Sequence, residues 1–179
     1  MVVLSGCFTT IKDNGTTPTP TPEVTEEPDD ENSKEYVNEE YSFKTRYPSD
    51  WSVTYDVPGA LVTFFSPDDE GFRSNVNILV DGGIGEHFTL DEYADLAIEE
   101  LSSFIENFEQ IDFDEFETDN WKGYYIIYTG TYSEYELAWA QVFFMENDNV
   151  YIITFASTID KYEVYISDAE FIAENLVLE

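Results

Sequence analysis

The sequence predicts an α+β domain, a single twisted antiparallel β-sheet covered by two helices. Three observations predict it. From Tyr41 onward, short stretches alternate aromatic or β-branched residues with polar ones and stop at turn formers. Twice the apolar spacing changes to steps of three and four, the helical period. The strand-like stretches come in runs joined by short connections, which implies antiparallel pairing and an α+β arrangement instead of strict βαβ units.

Each element has its own signal. Tyr41 to Tyr47 alternates and stops at Pro48, and Trp51 to Val57 alternates and stops at Pro58-Gly59. Leu61 to Phe65 ends at Ser66-Pro67-Asp68-Asp69, and Asn75 to Val80 ends at Asp81-Gly82-Gly83. Then Leu90, Tyr93, Ala94, Ala97, Ile98, Leu101, Phe104 and Ile105 fall on one face of a helix. Thr89 followed by Glu92 makes a capping box that marks its start. Phe108 to Glu117, Trp121 to Tyr132, Leu137 to Met145 and Val150 to Ala156 read as four more strands. The turns around Ser133-Glu134-Tyr135-Glu136 and at Glu146-Asn147-Asp148-Asn149 join the last three as hairpins. These three are continuous enough in apolar content to be central strands. A second helix is expected from about Ile159 to Glu174.

The chain of 179 residues holds 39 acidic and 7 basic side chains, a formal net charge of -32. Such a charge repels phosphates, which argues against nucleic acid as a partner, and it argues equally against a basic patch on an anionic membrane. With 42% apolar and 17% aromatic residues the chain still has ample material for a core. Of the acids, 31 lie in residues 39–179 beside five bases, so the charge belongs to the expected domain and not to a tail. It reads first as a solubility device, of the kind suited to a salty exterior.

Cys7 is the only cysteine, so no disulfide can form within one chain. Leu4-Ser5-Gly6-Cys7 has the form of a lipobox, the tetrapeptide cut before a lipid-modified cysteine. A secretory leader has a charged start and an apolar run of about 7–15 residues. Only Met1 to Leu4 precede the motif, so either the start of the leader is missing or the match is accidental. Residues 8–38 carry alternating Thr-Pro from Thr16 to Pro22 and then acids, an extended composition that packs no core. The expected organisation is a leader remnant at 1–7, a disordered linker at 8–38 and a domain at 39–179. A lipid on Cys7 would be the only attachment to a membrane, on its outer face, because no run of about 18 apolar residues exists. Asn14-Gly15-Thr16 is a glycosylation sequon that a Thr-rich tract also produces by chance.

Tyr41-Ser42-Phe43, then Tyr47-Pro48 and Trp51, resemble the opening of the PsbP-like fold family. Thr89-Leu90-Asp91-Glu92-Tyr93-Ala94, Gly123-Tyr124-Tyr125 and Ile152-Ile153-Thr154-Phe155-Ala156 support the resemblance, which spans nearly all of 39–179. It implies an α/β/α sandwich, an accessory or binding role, and no known catalysis. It does not imply photosynthesis: the photosystem member docks partly through lysines, and the basic residues of 39–179 are Lys44, Arg46, Arg73, Lys122 and Lys161. The matched positions are core and turn residues, so no functional residue is carried over.

Read for chemistry, His87 is the only histidine and lies in a Gly-rich loop with no nucleophile elbow to serve. One histidine supplies too few ligands for hydrolytic zinc. Calcium, which takes six to eight oxygens, is the one ion with candidate ligands: Asp68, Asp69 and Glu70 in a turn, and Asp112, Asp114 and Glu117 on a strand. Neither cluster has EF-hand spacing, and a solvated acidic face explains both. Two carboxylates could run glycoside hydrolysis, but among so many acids some pair will be close by accident. Tyr124, Tyr128, Tyr132, Tyr135 and Trp139 crowd one hairpin and are the candidate partner surface, since aromatics are favoured at recognition patches. The leading expectation is a lipid-anchored extracytoplasmic binding domain, monomeric and without catalysis or cofactor, that meets a protein or other component of the cell envelope. The alternatives are a calcium- or cation-binding module and a carboxylate-pair hydrolase of extracellular glycans.

Overall fold

Two antiparallel sheets, not one, build the domain. The computed structural model describes residues 32–67 and 71–179. In chain order it has β1 (Ser33–Asn38), β2 (Phe43–Pro48), β3 (Ser52–Thr54), β4 (Val62–Phe65), β5 (Asn75–Asp81), a 3-10 turn (Ile84–Glu86), α1 (Leu90–Phe104), β6 (Glu106–Glu117), β7 (Lys122–Tyr132), β8 (Tyr135–Glu146), β9 (Asn149–Thr158), α2 (Tyr162–Glu174) and β10 (Val177–Leu178). Seven strands form the large sheet in the order β3-β4-β5-β9-β8-β7-β6, and three form a small one in the order β1-β2-β10. Every pairing is antiparallel.

The expected single sheet failed for a physical reason. Alternation shows that 41–47 is a strand, but the period is the same whichever strand lies beside it. β2 buries Phe43, Thr45 and Tyr47 on one side. That side packs across the large sheet, with Phe43 edge-on to Tyr151 and Tyr47 against Phe64. Thr45 Oγ1 donates to the Ile172 carbonyl and ties β2 to α2.

A second correction concerns the expected linker. Ser33–Asn38 falls inside 8–38, yet it is a strand paired along its length with β2. Among its polar residues Tyr36 is fully buried, packed on Phe43 and edge-on to Phe64. The Asn38 amide donates to the Tyr36 hydroxyl, and its carbonyl accepts from the Tyr41 N–H to shape the turn into β2. One buried tyrosine is too weak an alternation to show in sequence. The expected features at Cys7, at the Thr-Pro tract and at Asp68, Asp69 and Glu70 lie outside the described residues.

The helix signals hold. Thr89 caps α1, with its hydroxyl accepting from the Glu92 N–H while the Glu92 carboxylate accepts from the Thr89 N–H. That charge-assisted bond holds the Glu92 carboxyl below the usual carboxylate range. α1 buries Tyr93, Ala94 and Ala97 on one face of the large sheet. Phe104, expected on that face, stands 76% exposed at the last turn. α2 and the small sheet share the other face, where α2 buries Ala169, Ile172 and Ala173. The β8–β9 hairpin turns through Asn147 and Asp148, both at positive φ, as a two-residue hairpin demands.

Candidate functional site

α2 leaves part of its sheet face uncovered, and the register shows what lies there. One row across five strands reads Asp112, Ile127, Ala140, Phe155 and Val76. The next reads Asp114, Tyr125, Val142 and Ile153. Phe155 and Ile153 are buried beneath α2, but Ile127, Ala140 and Val142 are only half-buried. Ala140 is the small member of its row, so the floor dips there. Tyr162, Ile166 and Glu170 of α2 form the opposite wall of a groove of about 300 Å³.

The groove is apolar along its floor and acidic at its rims. On the β6 side, Asp112 accepts from the Tyr125 hydroxyl at 2.7 Å and from its neighbour's Phe113 N–H at 2.9 Å. The bond to Asp112 pushes the Tyr125 phenol up, and the nearby negative charge adds to it. On the α2 side, burial first and then Glu170 and Glu163 push the Tyr162 phenol up to about 12. Both phenols are therefore neutral donors at ordinary pH. No basic side chain is among the lining residues. The arrangement can take an apolar body that carries a positive group at its edge.

The fold disperses the other residues that the sequence singles out. The five hairpin aromatics all point to the α1 face, because the strand period puts 124, 128 and 132 on one side and Tyr132 pairs with Tyr135 across the turn. Tyr128 and Trp139 are stacked 5.1 Å apart and are buried, so they belong to the core. Tyr124 stacks on Phe113 and donates to Asp91 at the start of α1. Tyr135 packs on Phe72, and only Tyr132 is well exposed. These five do not form one surface patch.

The acids of β6 are likewise not a cage. Asp114 accepts from the Glu115 N–H, and Asp112 is held by Tyr125 and the Phe113 N–H. Among the described residues no three His, Cys, Asp or Glu side chains converge where a metal ion could be held. His87 is exposed in its loop. Alternation along single strands does not reveal the groove. Its one legible trace is the small, apolar Ala140 of β8, with Asp112 opposite an apolar stretch two strands away.

Comparison with known proteins follows the fold. A family profile described as PsbP-like protein matches residues 1–175. No curated protein matches the sequence. The structure is similar to the solution structure of cyanobacterial PsbP from Synechocystis (TM-score 0.63, 14% identity, covering 83% of this chain and 93% of that one). It is also similar to a Pseudomonas aeruginosa protein of unknown function described as a putative regulator (TM-score 0.60, 16% identity, 83% and 98%). A third likeness is to LpqN, involved in cell envelope biogenesis of Mycobacterium tuberculosis (TM-score 0.58, 14% identity, 76% and 82%). At these identities the likeness to solved structures speaks for the fold alone.

Proposed function

The chain belongs to the PsbP-like protein family, and from that premise we propose that it is a non-catalytic binding domain held outside the cell membrane by a lipid on Cys7. The groove beside α2 takes an extended segment of a cell-envelope protein, with large apolar side chains on the floor and a lysine or arginine at the Asp112 and Glu170 rims. The single observation that carries this reading is the pair of strand rows, one running through half-buried Ile127 and Ala140 to Asp112 and the other through half-buried Val142 to Asp114. Uncovered apolar residues rimmed by charge are the usual mark of an interaction site. The net charge of the chain agrees with a cationic partner segment. The Thr-Pro spacer would let the domain reach that partner from the membrane.

The two alternatives fare less well. A glycan-cleaving pair would need donors and acceptors between its carboxylates for sugar hydroxyls, whereas the floor between Asp112 and Glu170 offers mainly aliphatic and aromatic carbon. A calcium module would need converging oxygen ligands, and no three His, Cys, Asp or Glu side chains converge among the described residues.

Fluorescence anisotropy with a labelled peptide alternating leucine and lysine tests the groove. Saturable binding near the micromolar range is expected, weakening about tenfold in the Asp112→Asn, Glu170→Gln double variant and on added salt. Equal binding of the peptide with glutamate in place of lysine, or unchanged binding to Ala140→Phe, would overturn it. Labelling of cells with a radioactive fatty acid tests the anchor, and an unlabelled product of the full gene would remove it.

A further inference from the structure

The opposite face of the large sheet holds a second, smaller cavity of about 80 Å³ under the C-terminal turn of α1. Its floor is unlike the rest of that core. Thr63, Asn77, Thr154 and Gln141 sit in a single register row across β4, β5, β9 and β8. Strands buried on both faces are ordinarily apolar there, and a polar row needs a use for its donors and acceptors. Most are satisfied. Thr63 Oγ1 donates to Asn77 Oδ1 at 2.6 Å, and Asn77 Nδ2 donates to Asn75 Oδ1 at 3.0 Å.

Gln141 differs. It is 5% exposed and lines the cavity. Its side-chain bonds both end on Oε1, which accepts from Thr154 Oγ1 at 3.3 Å and Tyr128 OH at 3.5 Å. Its Nε2 has no hydrogen-bond partner among the described residues and is not sealed off, so it is an accessible donor on a lining residue of the cavity. The mouth is unusual too. Phe104, spaced to lie on the inner face of α1, stands open beside it together with half-buried Leu101.

We propose that this cavity is a small-molecule site, distinct from the groove beside α2, for an uncharged compound bearing a carbonyl-type oxygen on a compact apolar body. The oxygen accepts from Gln141 Nε2. The body lies against Leu79, Ile152 and Trp139, and Phe104 folds over whatever protrudes. The charge is set by Glu100, the one ionisable carboxylate of the lining: it repels anions, and the aliphatic walls would strip water from a cation. The size follows from comparison, since a dry cavity of about 150 Å³ holds benzene, and half that volume takes about three or four non-hydrogen atoms.

The test is an NMR titration of the isotope-labelled chain with acetone, whose four non-hydrogen atoms match the cavity. Saturable shifts of the Gln141 side-chain amide and the Trp139 indole N–H are expected, with a dissociation constant near the millimolar range for a ligand of this size. Gln141→Leu, close in shape but without the donor, should weaken binding about fivefold. Phe104→Ala, at an exposed position that cannot endanger the fold, should weaken it too. Shifts that never saturate, as when water alone fills the cavity, would overturn the proposal. So would Gln141→Leu binding the ketone as tightly as the parent, or 2-propanol binding while acetone does not. The leucine–lysine peptide should bind unchanged in both variants, so this site and the groove stand or fall separately.

Discussion

Trp51 Nε1 donates to the Asp168 carboxylate at 3.2 Å, closing a link between residues 117 positions apart. The indole is buried and stands edge-on to Tyr165 at 6.0 Å. One side chain therefore joins the connection after β2 to the middle of α2, the helix that walls the groove. Burial pushes the Asp168 carboxyl up, the bond from Trp51 pulls it down, and Asp50 pushes it up again.

Trp51→Phe should keep most of the packing and lose the bond. A loss of about 1–2 kcal/mol is expected by urea unfolding. The Asp168 carboxyl should titrate higher in the variant, which NMR of the side chain would register. An unmoved Asp168 titration would mean that the bond does not form in solution.

A pair at the other helix, buried Tyr93 and half-buried Asp81, gives a pH dependence. Burial pushes the Asp81 carboxyl up, and the 2.8 Å bond from the Tyr93 hydroxyl partly offsets it. Tyr93 is itself pushed far up, by burial and by Asp81. A raised carboxyl holds its proton better folded than unfolded. Its stabilising contribution is thus full below the ordinary carboxylate range and is lost as pH rises through the raised value. Asp81→Asn should flatten that decline, gaining stability at neutral pH and nothing in acid. Tyr93→Phe should cost about 1–3 kcal/mol at neutral pH by stranding the carboxylate. Denaturant melts from acid to neutral pH would check both.

Two glycines are spacers in the sheet. A Cβ on Gly123 would land on the Phe143 carbonyl, and one on Gly130 on the Ile105 side chain, 3.0 Å from the Glu106 carbonyl. Strand backbone cannot retreat as a flexible side chain can. Gly123→Ala should lower stability by about 1–3 kcal/mol, and Gly130→Ala somewhat less because Ile105 can turn. Thermal melts that match the parent would show that the hairpin flexes more than its pairing suggests.

The cap of α1 offers a smaller, cleaner test. Thr89→Ala removes the hydroxyl that receives the Glu92 N–H and should cost about 1 kcal/mol, while Thr89→Ser should cost far less. Equal losses for both would point to the methyl group and not the cap.

What is legible in the sequence depends on range. Thr89 with Glu92, the turn at Asn147-Asp148 and the alternation of β7 to β9 are written in neighbouring residues, and the fold repeats them. What a strand lies against is not. Tyr41 to Tyr47 alternates as a strand of either sheet would, and the small sheet appears only once β2 is seen between β1 and β10. Tyr128 and Trp139 look like a surface cluster until α1 is laid over their face. Asp112 stands out in the sequence for its neighbour Asp114, but its role comes from Tyr125 on the next strand and from the row that runs to Val76. Gln141 is inconspicuous there, because a glutamine among apolar residues shows nothing of which way its strand faces.

The small sheet has a mechanical consequence. β1 and β10 flank β2, and the Glu179 N–H donates to the Ser42 carbonyl. The chain thus enters and leaves the domain through the same three strands. A pull on the segment before Ser33 would load the hydrogen bonds between β1 and β2, and the seven-stranded sheet would feel it only after they part. If the domain is tethered through that segment, the small sheet acts as a fuse: under tension it would shed a strand, bare Tyr36 and the face of β2, and leave the groove and the cavity of the large sheet standing.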